Sequence, residues 1–212
     1  MSRYLRSQVF GARIGRDLVL LDTRDDAYLC VPGGGAGCLD QDQCLLFPPG
    51  PIAASLEAAG LLAAEPRPAD PLPALPTRSL LYDACSAKPK RSDLTAGIAV
   101  VRDLGRARRG AGLGSYLDIA PPCSADSRAQ TGAVEEAARR FLRFSPWLPI
   151  EGECLVRSAM LVAWLKSSSL QADWVFGVRL WPFAAHCWIQ AGDVCLNDDV
   201  ERLVAFTPIM VR

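Results

Sequence analysis

The sequence predicts an α+β chain built in two parts, and three stretches carry that expectation. "EPRPADPLPALPTRS", residues 65–79, holds five prolines and no periodic apolar face, so it reads as an extended, semi-rigid connector. Before it, short apolar runs separated by acidic and glycine-rich turns suggest strands and one helix. After it, segments with helical periodicity come first and alternating strand segments follow, the order of an α+β fold. The boundaries drawn are 1–70 for the first unit, 71–79 for the linker and 80–212 for the second unit.

In chain order, "DLVLLDTRDDAYLCV" reads as strands Leu18–Asp22 and Ala27–Val31 around a turn in which Asp25 and Asp26 tolerate tight geometry. "PGGGAG" at 32–37 lacks both the Gly-Lys-Ser/Thr ending of a phosphate loop and a GxGxxG spacing, and is read as a flexible turn. A helix started by proline is expected over Ile52–Ala59 with a stop at Gly60 and a short apolar run after it, giving a hairpin followed by short helices. Beyond the linker, Ser92 or Asp93 caps a helix whose apolar residues are read as Leu94, Ile98, Val101 and Leu104. Thr131 begins another, which Pro146 ends. Glu151 and Gly152 form an entry turn to a helix over Cys154–Lys166, with a stripe at Leu155, Ala159, Val162 and Leu165. "ADWVFGVRL", "AHCWIQA" and "VCL" then continue as strands.

Composition excludes several function classes. The 23 basic and 23 acidic residues cancel, and no Lys/Arg run could track a phosphate backbone. No stretch approaches the ~18 apolar residues needed to span a bilayer, and Arg6, Arg13 and Arg16 interrupt any signal-like apolar run. The expected location is cytoplasmic, where the eight cysteines stay reduced. They include no CxxC pair and share one histidine, so no metal site and no bound cofactor are expected.

That histidine, His186, lies in a strand that runs into acids at Asp198 and Asp199. Histidines in apolar runs are commonly core residues, and most cysteines are small buried hydrophobes. The combination is more pointed. A cysteine at a helix start, here Cys154, gains thiolate character from the helix dipole and from a neighbouring imidazolium. A later strand supplies the imidazole, and a carboxylate on the next strand fixes its orientation, a role open to Asp198 or Asp199. The "AGD" turn lets the chain double back to bring them level. Cys187 adjoins His186 but points to the opposite strand face, and Cys195 precedes no helix. For the oxyanion, the Cys154 backbone N–H is a natural donor, with Trp147, Trp188 and Gln190 as candidates for the second.

"CLVRSAMLVAWLKSSSLQADWVFGVRLWPFAAHCWIQAGDVCLND" resembles the core of the lasso-peptide B proteins, transglutaminase-like cysteine leader peptidases in which a Cys opens the helix and "AHxW" carries the histidine. The resemblance covers about residues 80–212. It implies a papain-like/transglutaminase-like domain with Cys154 as nucleophile, His186 as base and Asp198 as orienting acid. The N-terminal part is similar to the small winged-helix-like leader-recognition module of such systems. By that resemblance the chain would bind the leader of a ribosomally made precursor and cut it off. The freed amine would pass to an asparagine-synthetase-like cyclase, which uses ATP to close the macrolactam. An acyl transferase on the same three residues and a non-catalytic peptide-binding chaperone are the alternatives.

Overall fold

In the computed structural model, the structure describes residues 2–41, 44–66, 71–82, 90–110, 112–120 and 131–212. Cys85, Cys123 and positions 67–70 of the connector lie outside them. The first part runs β1 (Arg3–Leu5), β2 (Val9–Ile14), β3 (Asp17–Asp22), β4 (Ala27–Val31), β5 (Leu39–Gln41), β6 (Cys44–Phe47), α1 (Pro51–Ala58) and β7 (Leu62–Ala63). The second runs β8 (Arg78–Ser79), α2 (Ser92–Ala107), α3 (Gly112–Leu117), α4 (Thr131–Phe144), α5 (Cys154–Ser167), β9 (Asp173–Arg179), β10 (Ala184–Ala191), β11 (Val194–Cys195), α6 (Val200–Leu203) and β12 (Thr207–Val211). No helix among the described residues is long and apolar enough to cross a membrane.

The expected hairpin is β3–β4, joined by a turn in which Asp26 takes a left-handed φ of 52° and the Asp22 carboxylate accepts the Arg24 N–H at 2.9 Å. β2 extends it to a three-stranded antiparallel sheet. In place of several short helices, the following residues supply a second sheet, ordered β5-β6-β1-β7, and a single α-helix. "CLLF" has the apolar composition of a strand and pairs on both sides, with β1 and β5, which its four residues were too few to announce. The glycine-rich turn is a structural joint. Gly35 donates its N–H to Arg16 O at 3.0 Å, and a Cβ there would stand 2.9 Å from that oxygen, so the close backbone approach requires glycine.

Alternation along β3 divides the core. Leu18 and Leu20 join Val9, Phe47, Leu56 and Leu62 in a small cluster under α1, whereas Val19 and Leu21 face the large cluster that contains α2, α4 and α5. The first sheet therefore packs into the second unit, and β2 lies against β12. The end of the proline-rich segment runs along the second unit's sheet: β8 pairs in parallel with β11, and Ala74 O accepts Gln190 Nε2 at 2.9 Å.

The five-stranded sheet, ordered β12-β9-β10-β11-β8, is covered on both faces. Trp174, Phe176, Cys187 and Ile189 point to the helices, and Val175, Trp188 and Cys195 to a smaller cluster with Leu203 and Phe206. α5 is the central helix, with every residue from Ser158 to Leu165 buried; an apolar surface all round marks a core helix rather than an amphipathic one. Trp164 is fully buried at its centre, and its indole N–H donates to Ala137 O at 3.0 Å. Trp164→Ala is expected to destabilise the fold by about 3–5 kcal/mol, the usual cost of emptying such a site, as a lower denaturant midpoint in chemical unfolding.

α2 corrects one expectation. Leu94, Ile98 and Val101 are 65%, 63% and 43% exposed, and of the expected stripe Leu104 alone is buried. The buried face is Ala96, Gly97, Val100, Leu104 and Ala107. Small residues let α2 settle close to its neighbours, and a Cβ at Gly97 would stand 2.6 Å from the Phe144 ring. Asp93 and Asp103 also point inward: Asp93 pairs with the buried Arg140 of α4, and Asp103 accepts Arg102 at 2.9 Å and lies 3.9 Å from Lys166 of α5.

Candidate active site

The chain enters α5 through Glu153, which is extended and offers no side-chain cap. The first-turn N–H groups are therefore left for whatever lies beyond the helix start, and Cys154 is the first helical residue. α5 packs on β10, and its tip meets that strand where His186 and Cys187 follow one another. The Cys154 sulfur makes side-chain hydrogen bonds to both. The two strand residues do belong to opposite faces, with Cys187 in the helix-side cluster and His186 beside Trp188 and Phe206. The helix tip nonetheless comes close enough for one sulfur to reach each, a contact that strand alternation alone does not reveal.

After β10, Gly192 takes a left-handed φ of 62° and the chain returns through β11. Leu196 N–H donates to Ile189 O at 2.8 Å, and Asp198 arrives beside His186. Its Oδ2 lies 2.5 Å from His186 Nε2, which leaves Nδ1 as the ring nitrogen for Cys154. Ser79 Oγ donates to the Asp198 backbone carbonyl at 2.7 Å and the Asp199 N–H to Asp198 Oδ1 at 2.8 Å, so both the backbone and the carboxylate of Asp198 are held. Asp199 turns elsewhere: it caps α6 and accepts the Tyr82 hydroxyl at 2.6 Å.

The electrostatics follow from these contacts. The Cys187 hydrogen bond, then the His186 one, outweigh burial and bring the Cys154 thiol down to about 4. Contact with Cys154 together with burial pushes Cys187 well above the usual thiol value, so it remains a thiol and donates to its neighbour. Burial opposes the charged imidazole, but hydrogen bonds to Asp198 and Cys154 raise His186 to about 9. Burial likewise opposes the Asp198 carboxylate, which the hydrogen bonds from His186 and the Asp199 backbone keep below its ordinary range. At neutral pH the result is a thiolate–imidazolium pair steadied by a carboxylate.

Activity that depends on this pair is expected to be flat in kcat/KM between about pH 4 and about pH 9. As pH falls through the lower value the thiolate takes up a proton, and as it rises through the upper one the imidazolium loses the proton needed by a leaving group. The two limbs belong to the coupled pair rather than to either residue.

Gly177 pairs with His186 across β9 and β10, and a Cβ there would stand 2.7 Å from the Trp188 ring and 3.1 Å from Phe206. Its missing side chain is what lets these rings close on the imidazole, and only the cross-strand register exposes that role. None of the three candidates for a second oxyanion donor stands free beside the sulfur. Trp188 Nε1 donates to Gln190 Oε1 at 2.7 Å, and Gln190 Nε2 donates to Ala74 O and Gly192 O. Trp147 is 82% exposed and lines a different cavity, with Arg140 and Phe144.

A cavity of about 350 Å³ flanks the helix start, bounded by Gly152, Arg157 and Asn197 and walled by Phe141, Ile150 and Met160. Its size suits one peptide side chain. Residues 96–211, from within α2 to the end of β12, match the family model described as the transglutaminase-like superfamily. No curated protein and no solved structure matches the chain.

Proposed function

From the premise that the chain belongs to the transglutaminase-like superfamily, whose cysteine hydrolases and transferases work by acyl transfer, we propose that it is a cysteine endopeptidase of the cytoplasm that removes the leader of a lasso-peptide precursor. The observation that carries the reading is the contact of Cys154 with a His186 that is itself bound to Asp198. Cys154 attacks the scissile carbonyl as thiolate, and the His186 imidazolium protonates the leaving amine. Water, deprotonated by the now neutral imidazole, then releases the acyl-enzyme. Asp198 holds the ring with Nδ1 toward the sulfur, and the Cys154 N–H at the helix start donates to the oxyanion.

The first unit supports recognition of an extended peptide. β4 is the edge of its sheet, and main-chain hydrogen bonds along an edge strand bind a peptide in register. Tyr28 of β4 packs on Phe183 at 5.5 Å and against the core cluster on which Cys154 also packs, and burial above all raises its hydroxyl to about 12. The edge strand thus lies within electrostatic reach of the nucleophile, and a leader paired there holds the cut site at high local concentration. The freed core amine then goes to an asparagine-synthetase-like cyclase, which supplies the ATP-dependent step.

The test is incubation of the purified chain with a candidate precursor, with and without the cyclase, read by mass. Hydrolytic release of an intact leader is the expected result. If added primary amine is found in amide linkage at the cut site instead, the enzyme is an acyl transferase on the same residues.

A further inference from the structure

Three elements meet at the sulfur, and each brings one reacting group: α5 brings Cys154, β10 brings His186 and the segment after β11 brings Asp198. Two polar side chains outside that trio tie the same three elements together. Asn197, next to Asp198, accepts the Ile189 N–H of β10 through Oδ1 at 2.8 Å and donates through Nδ2 to Ser158 Oγ at 2.9 Å. Because the group facing Oδ1 is an N–H, the amide orientation is fixed. Ser158 lies one helical turn beyond Cys154 and is fully buried. Its hydroxyl donates to Cys187 O at 3.3 Å, and the Cys187 sulfur stands 3.8 Å from Ser158 Oγ.

We propose that Asn197 and Ser158 act as one positioning clasp, which sets the first turn of α5 against β10 and the Asp198 segment and so keeps the Cys154 sulfur in contact with His186 and Cys187. The inference rests on Cys154 being the nucleophile. The Ser158 hydroxyl gives its proton to a carbonyl and one lone pair to Asn197, and its second lone pair accepts the Cys187 S–H in a long contact of 3.8 Å. Ser158 thus holds Cys187 from both its carbonyl and its sulfur, beside the Cys154 sulfur with which Cys187 also hydrogen-bonds; that second, charge-assisted bond is the stronger of the two. Loss of Ser158 or Asn197 lets the helix tip slide against the strand, and an error of about 1 Å at a nucleophile costs up to about 100-fold in rate.

Ser158→Ala, Asn197→Ala and the double variant test this, with Ser158→Ala as the conservative change because alanine fills the same space. For each, kcat and KM on the precursor are measured together with the thermal midpoint and the pH midpoint of Cys154 alkylation by iodoacetamide. The expected result is a fall in kcat of about 10- to 100-fold, at unchanged KM for Ser158→Ala, whose side chain lies outside the cavity that Asn197 bounds, with the alkylation midpoint raised by about one pH unit or more as the thiolate loses its donors. The double variant falls no further than the worse single one, as for residues acting as a unit. Wild-type kcat and midpoint in Ser158→Ala, or losses that merely track the thermal midpoint, overturn the clasp. If wild-type Cys154 itself alkylates only in the ordinary thiol range, it is the nucleophile reading that fails, which separates the two.

Discussion

Cys154→Ala is expected to bind the precursor and leave it uncut, with the single-turnover rate reduced on the order of 10⁴-fold or more. The loss should be in chemistry alone. Cys154 is half-buried at the first position of α5, and its backbone joins the helix whatever side chain it carries. Alanine is also the residue most at ease in a helix. What disappears is the atom proposed to form the acyl-enzyme, and neither neighbouring cysteine is suited to replace it: Cys187 is held as a thiol, and burial raises Cys195 to about 11. Anisotropy of a labelled leader peptide, unchanged beside an absent cleavage product, is the expected pair of observations. Cleavage at wild-type rate by this variant removes Cys154 from the reaction.

His186→Ala is expected to cost about 10²- to 10⁴-fold in kcat/KM, the range of a general acid and base, and to change the shape of the pH profile as well. Two things leave together. The Cys154 thiolate loses one of its two side-chain hydrogen-bond partners and the adjacent positive charge, so the acid limb moves up from about 4 toward the ordinary thiol range. The leaving amine loses its proton source, so the limb near 9, which exists only while the pair does, disappears. The remaining activity should therefore rise with pH where the wild type is flat. A variant that keeps the flat profile, merely scaled down, assigns His186 a packing role beside Trp188 and Phe206.

Much of this arrangement is legible in the residues, for identifiable reasons. Capping signals and 3.6-residue periodicity place α1, α4 and α5 within a residue or two, and alternation places β3, β4, β9 and β10. Of the strands that sequence did not announce, β1 and β5 to β8 have two to four residues each, too few for a period, and exist because other strands pair with them; β2 and β12, with six and five residues, were missed as well and pair with β3 and β9. The buried face of α2 was misplaced because its contacts use alanine, glycine and two paired aspartates, where an apolar stripe is sought among large side chains. Cys154, His186 and Asp198 are singled out by chain order and a family resemblance. The helpers around them are not: Gly177, Cys187, Ser158 and Asn197 act through cross-strand register and helix-to-strand contact, which exist only once the chain has folded.

The most direct measurement is the rate of Cys154 alkylation by iodoacetamide as a function of pH, with the modified cysteine identified by peptide mapping. A sulfur held as thiolate by His186 and Cys187 reacts first among the eight cysteines, already below neutral pH, with a midpoint near 4. A midpoint near the ordinary thiol value of ~8.5, or a different cysteine reacting first, contradicts the charged pair from which the proposed chemistry is derived.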